Sequence, residues 1–332
     1  MRTNQPQVLH EAMLKNTPRF RYQDGDIKVW QEKARAQLAM QLSLDDMPVC
    51  DPELEIEYER DESDFHEIRF TFQSEPGYRT AAHLLIGHNA SNPPVMICLQ
   101  GHSTGMHISL GRPRYENDAK SIAGDRDYAL QAVREGYAAL TLEQRSFGEC
   151  GGNERGPECK LSGSTALILG RSLVGERVLD VMRTIDLLET NVFAVNSKDI
   201  SITGNSGGGT TCIYAAAMDT RIKACMPSCS FCGFLPSIGK QLHCLCNYIP
   251  GIARDFDMGD LAGLIAPRVF VAINGKLDGT FPLHSAQEQL EIAKVVYAHL
   301  DCEKRCRLEV GQEGHRYYDS LAWSALREAL NA

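Results

Sequence analysis

Ser206, Asp278 and His315 are the residues of this chain whose types and settings could do covalent chemistry together. Ser206 stands in Gly204-Asn205-Ser206-Gly207-Gly208, after the apolar and β-branched run Ile200 to Thr203 and before a helix-like segment, Thr210 to Met218. A G-x-S-x-G element between a strand and a helix is a nucleophile elbow, a tight turn that presents a serine. The serine there has a strained backbone, so Gly204 and Gly208, two positions before and two after it, must lack a Cβ. Its place at a helix N-terminus favours a developing anion. The backbone N–H of Gly207 is set to donate into an oxyanion hole. The chemistry implied is acyl transfer through a serine.

Such a serine needs a base and an acid to orient that base. The apolar run Pro267 to Gly275 reads as a buried parallel strand and ends in Lys276-Leu277-Asp278-Gly279-Thr280, which puts Asp278 in a loop at a strand C-terminus, where doubly wound sheets carry their sites. A helix over about 284–299 follows, then a last strand over 305–310, and His315 lies in the loop directly after it. An Asp beside glycine is commonly a turn former, and a loop His is commonly just exposed. The order Ser206, Asp278, His315 is nevertheless that of the α/β-hydrolases and of neither chymotrypsin nor subtilisin. The second oxyanion donor should come from the loop after an earlier strand. Pro94 to Leu99 is that strand, Gln100-Gly101-His102 follows it, and the backbone N–H of His102 is the candidate. His102 and His107 have no third ligand at matching spacing, so no metal site is read from them.

These loops need a scaffold. From residue 53 the apolar pattern has period two (Leu54, Ile56, Tyr58; Ile68, Phe70, Phe72; Tyr78 to Ile86), with turn signals between the runs, as in antiparallel strands. After it, strands at 94–99, 137–142, 199–204, 222–226 and 267–274 alternate with helices near 118–135, 172–189 and 208–218. This predicts an α/β fold: a mostly parallel central sheet with helices on both faces and antiparallel N-terminal strands. Residues 1–50 read as an N-terminal helical extension, and 51–332 as one domain. In the extension, Val29-Trp30, Ala34, Leu38 and Leu42 form an apolar stripe. The stripe is expected to pack on the domain in preference to a second subunit, which would make a homo-oligomer. Two segments interrupt the alternation as lid-like insertions, near 148–164 and 230–259.

The chain has 332 residues, 43% hydrophobic and 23% charged, with a net charge of −9 that argues against a nucleic-acid partner. No apolar leader stands at residues 1–6 and no run of 18 apolar residues occurs, so a cytoplasmic protein with no membrane partner is expected. The twelve cysteines then read as reduced and structural. Cys225-x3-Cys229-x2-Cys232 has the spacing of an iron–sulfur motif, but it begins on a short apolar strand whose alternation turns Cys225 into the sheet.

Gln100-Gly101-His102, the Glu143-Gln144-Arg145-Ser146-Phe147-Gly148 turn, the elbow, Cys246-Asn247-Tyr248-Ile249-Pro250-Gly251, Leu264 to Arg268, and the Asp278 and His315 loops form one string. Together they resemble the acetyl xylan esterase and dienelactone-hydrolase-like branch of the α/β-hydrolases, from about residue 50 to the C-terminus. The resemblance implies that Ser206, Asp278 and His315 are nucleophile, acid and base, and that Arg145 braces the site. Gly207 stands where the better-known xylan esterases carry Gln, and Gln144-Arg145-Ser146 replaces their Arg-Gly-Gln turn. The expected function is a serine esterase acting on a small-molecule carboxylic ester, possible acetyl esters of carbohydrates included, with no cofactor. A peptidase or amidase on the same scaffold and a non-catalytic binding protein are the alternatives.

Overall fold

The computed structural model describes residues 5–332. Its strands are β1 (Glu55–Asp61), β2 (Phe65–Glu75), β3 (Tyr78–Gly87), β4 (Pro94–Leu99), β5 (Ala138–Leu142), β6 (Asn196–Asn205), β7 (Ile222–Ser228), β8 (Val269–Gly275) and β9 (Cys306–Gly311). Its helices are α1 (Pro6–Met13), α2 (Ile27–Gln41), α3 (Asp118–Ser121), α4 (Tyr128–Arg134), α5 (Cys159–Ile168), α6 (Leu173–Glu189), α7 (Gly207–Met218), α8 (Ile252–Asp255), α9 (Met258–Ile265), α10 (Leu283–His299) and α11 (Asp319–Leu330). None of the described helices is long and apolar enough to cross a membrane.

The strands form one sheet in the order β1-β2-β3-β5-β4-β6-β7-β8-β9. β1, β2 and β3 pair antiparallel, β3 joins β5 antiparallel, and from β5 to β9 every pairing is parallel. The apolar β-branched runs are central because both faces of a parallel strand are covered. On β4, Val95, Ile97 and Leu99 join one core with α2, α6, α7, α9 and α10, while Met96 and Cys98 join another with α4 and α11. β7 divides in the same way, with Cys225 in the first core and Ala224 and Met226 in the second, so Cys225 is in the sheet core as the alternation predicts.

Three readings of the sequence need correction. The extension stripe packs on the domain: Ala34, Leu38 and Leu42 are buried, Arg35 donates to the carbonyls of Ala217 (3.1 Å) and Leu264 (2.8 Å), and Gln31 donates to that of Ala266 (2.7 Å). Val29, however, is 44% exposed, because the 3.6-residue period set by Trp30, Ala34 and Leu38 turns it outward. The helix expected over 118–135 is broken at Gly124 and Asp125, the latter at φ 58°. The break docks the segment after His315: the Gly124 carbonyl accepts from Tyr317 N (3.3 Å), and the Asp125 carboxylate pairs with Arg316 (2.7 Å). Finally, Ile56 and Tyr58 of β1 are each 39% exposed, so their period-two pattern covers no core.

Candidate active site

β6 ends at Asn205 and α7 begins at Gly207, leaving Ser206 alone on the turn with φ 54° and ψ −121°. This is a backbone conformation that a side chain adopts at a cost of about 1–3 kcal/mol and that the surroundings must impose. They do so by close approach. A Cβ on Gly204 would lie 2.7 Å from the carbonyl carbon of Gly208 and from Leu99 O, and one on Gly208 would collide with the Leu99 carbonyl oxygen. Ser206 N donates to Ser228 O (2.8 Å), and Ser206 O accepts from Thr210 N (2.9 Å) as α7 starts. The first N–H groups of α7 have no acceptor within the helix, which leaves Gly207 N–H free of an intrahelical duty.

The loop after β4 lies directly against this turn. A Cβ on Gly101 would be 2.6 Å from Asn205 O and 3.0 Å from the Ser206 Cβ. Gln144 ties the loop to α7: it donates to Gln100 O at 2.5 Å and accepts from Thr211 Oγ1 at 2.7 Å. The His102 ring packs on Gly207, where a Cβ would meet Cε1 at 2.7 Å and Nδ1 at 2.8 Å. Glycine at 207 therefore follows from the imidazole, which leaves no room for the Gln of the better-known xylan esterases.

Asp278 follows β8 and His315 follows β9, and the structure joins them through His315 Nδ1 and Asp278 Oδ2 at 2.8 Å. The other oxygen, Oδ1, accepts from Thr280 N (2.8 Å) and Phe281 N (3.1 Å). Burial alone would raise the Asp278 pKa, but the His315 bond, its charge and the two N–H bonds hold the carboxyl below its ordinary value. Asp278 is thus an anion that fixes the imidazole by Nδ1 and leaves Nε2 as the nitrogen able to accept a proton. Phe281 stacks on the His315 ring with centroids 5.9 Å apart, and the His315 carbonyl accepts from Arg126 (3.3 Å). Ser206, Gly207, His102 and Phe281 line a cavity of about 270 Å³ together with Gln241, Leu242, His243, Cys244, Asn247 and Thr280. A cleft of about 730 Å³ near Glu62, Arg112 and Arg134 holds none of these groups, so volume alone does not locate the chemistry.

The structure places the other sequence candidates apart from the cavity. His107 is a buried histidine paired with Asp118 at 2.8 Å. Arg145 is buried in an ion network with Asp180 (2.8 Å), Glu75 (2.9 Å) and Glu176 (3.5 Å), and its guanidinium lies 4.0 Å from the centre of the Tyr78 ring. Its link toward the site is its own carbonyl, which accepts from Arg177 at 2.7 Å. The sequence assigns no individual role to Gln144, Phe281 or Arg126; the Gln144 contact with the elbow depends on the β4–β5 neighbourhood, which no local pattern reveals.

Glu143, beside this turn, is buried, with its carboxylate accepting from Met106 N at 3.1 and 3.2 Å. Burial, opposed by the Met106 and Glu149 N–H groups, pushes its pKa from 4.5 up to about 7. Its contribution to stability is thus full below pH 4.5 and is lost as pH rises through about 7. Between pH 5 and 8 the wild type should lose stability relative to Glu143→Gln, by up to a few kcal/mol at about 1.4 kcal/mol for each tenfold change in proton affinity on folding. Paired urea melts across that range check it, and parallel curves would remove Glu143 as the cause.

No family model matches the sequence. Among curated proteins, the chain is 24% identical over 242 residues to the provisionally assigned hydrolase YtaP of Bacillus subtilis (strain 168), covering 72% of this chain and 79% of that one. Among solved structures it superimposes on a Bacteroides fragilis protein provisionally assigned as an acetyl xylan esterase, with TM-score 0.75 and 19% identity over 97% of this chain and 84% of the other. The chain has the α/β-hydrolase fold. Two further solved examples of similar fold are methylesterase BT1017 (TM-score 0.70, 18% identity, 99% and 69% of the two chains) and a glucuronoyl esterase from Solibacter usitatus (0.68, 16%, 95% and 97%). In this fold the elbow after β6 and the loops after β8 and β9 open at the strand C-termini, the end of such sheets where ligands bind.

Proposed function

We propose that this protein is a serine hydrolase of the acetyl xylan esterase-like branch, cleaving small carboxylic esters. The observation that carries the reading is the strained Ser206 at the head of α7, with the Asp278–His315 pair in the loops of the same sheet end. His315, held at Nδ1 by Asp278, takes the Ser206 proton at Nε2 as Oγ adds to the ester carbonyl. The oxyanion accepts from the backbone N–H groups of Gly207 and His102. Collapse expels the alcohol, which leaves with the proton from His315. A water deprotonated by His315 then attacks the acyl-enzyme and releases the acid, restoring the serine. The cycle calls for no cofactor.

The small cavity, with Gln241, His243, Asn247 and Thr280 on its walls, favours a short acyl chain and a polar alcohol. The esterases among the similar structures support a carbohydrate acetyl ester as that substrate. Acetyl p-nitrophenyl ester should exceed the octanoyl ester in kcat/KM by about tenfold or more. Acetylated xylose should be deacetylated, and a fluorophosphonate probe should label the protein. Faster turnover of amides than of esters would point to a peptidase or amidase, and a folded protein that neither labels nor turns over would be a binding protein.

A further inference from the structure

His102, Cys159, Cys244 and Cys246 come from three separate segments of the chain, yet one imidazole nitrogen and three sulfurs lie within 4.8 Å of one another. His102 Nε2 is 3.2 Å from Cys246 Sγ. The geometry points to a structural zinc site with a Cys3His ligand set, one of the closed tetrahedral sets that zinc takes. With Zn–S near 2.3 Å and Zn–N near 2.0 Å, neighbouring ligand atoms in a tetrahedron stand roughly 3.5–3.8 Å apart, well inside the observed span.

Charge gives an independent reason. Arg177 is 2% exposed and carries a cation with no carboxylate paired to it among the described residues. It donates to the Arg145 carbonyl and, at 3.3 Å, to Cys159 Sγ, while stacking 4.3 Å over the Phe147 ring. A buried guanidinium without an anion is costly. Three thiolates on Zn²⁺ leave the centre with one net negative charge, which Arg177 neutralises in the position of an outer-shell partner. Binding releases the three thiol protons to solvent and changes no oxidation state.

The four protein ligands leave no open position, so the ion is structural and takes no part in ester chemistry. Its effect is to pin three segments around the serine. Cys159 starts α5 in the first insertion, Cys244 and Cys246 belong to the second, and His102 lies on the oxyanion loop. The ion thus fixes the Cys244 side of the cavity and holds the imidazole against Gly207. The site escapes sequence inspection because only Cys244 and Cys246 are close in the chain, and their spacing is a single residue.

The test is metal content of the full-length protein expressed in zinc-replete medium and purified without chelator. One zinc per chain is expected in the wild type and in Cys50→Ser, which lies outside the cluster, with loss in Cys159→Ser and Cys246→Ser. Because those variants can misfold, the wild type is also stripped with a chelator and refilled: its Tm should fall and recover with Zn²⁺, and Co²⁺ should give the spectrum of tetrahedral thiolate ligation. Metal-free wild type whose Tm ignores added Zn²⁺, or a disulfide within the cluster found by mass spectrometry, would overturn the site. None of these readouts depends on ester hydrolysis, so the site and the esterase reading can fail separately.

Discussion

Ser206→Ala is expected to lower kcat for p-nitrophenyl acetate by about 10⁴- to 10⁶-fold while leaving the fold intact. The side chain shrinks by one oxygen, and the Cβ that the strained turn already accommodates at φ 54° is kept, so the elbow has no new clash to resolve. His315→Ala should match it, and the double variant should be no slower than either single, because groups that act as one unit are not additive. Asp278→Asn should cost about 10⁴-fold: the amide preserves the shape but loses the anion that orients His315 by Nδ1. Rates with melting curves decide it. Residual activity above one-tenth of wild type in folded Ser206→Ala would assign the nucleophile elsewhere.

Arg145→Met carries the largest expected effect on stability. The guanidinium reaches three carboxylates, and Asp180 and Glu75 are 1% and 9% exposed. Removing the cation leaves the buried Asp180 charge without a cation and Glu75 with Arg171 alone, which costs about 3–5 kcal/mol. That corresponds to a fall in Tm on the order of 5–10 °C for a chain of this size. Arg145→Met combined with Asp180→Asn should recover part of the loss, since the second change removes one stranded charge. A double variant less stable than the single by the full Asp180 cost would mean that the two do not interact. kcat in Arg145→Met at temperatures below its melt should stay near wild type if the network holds the fold alone; a fall would mean that the strain reaches Ser206 through the Arg145 carbonyl and Arg177.

The catalytic candidates were legible because their chemistry is local. Gly204 and Gly208 declare a turn where a carbonyl approaches, and Asp278 and His315 follow strands whose apolar runs are unmistakable. Strands β4, β6, β7 and β8 were readable to within a few residues for the same reason, being buried on both faces. What stayed hidden depends on distant partners. The break at Gly124 and Asp125 exists to receive Tyr317 and Arg316, nearly two hundred residues away. α11 was not legible beyond the last loop although Trp323 and Leu326 fill the second core. The partners of Arg145 and of His102 likewise follow from the order in which strands assemble, which spacing along the chain does not encode.

β1 is exposed along its whole length at one edge of the sheet. It carries four carboxylates, and the bulge between Ile56 and Tyr58 divides them between its faces: Glu55 pairs with Thr71 on one, Glu59 with Ile68 and Asp61 with His66 on the other. A second molecule adding to that edge with its own β1 would bring a strand with four carboxylates and one arginine against its own copy, a repulsive pairing. The strand thus acts as a gatekeeper against runaway sheet extension, the route by which open edges seed aggregation.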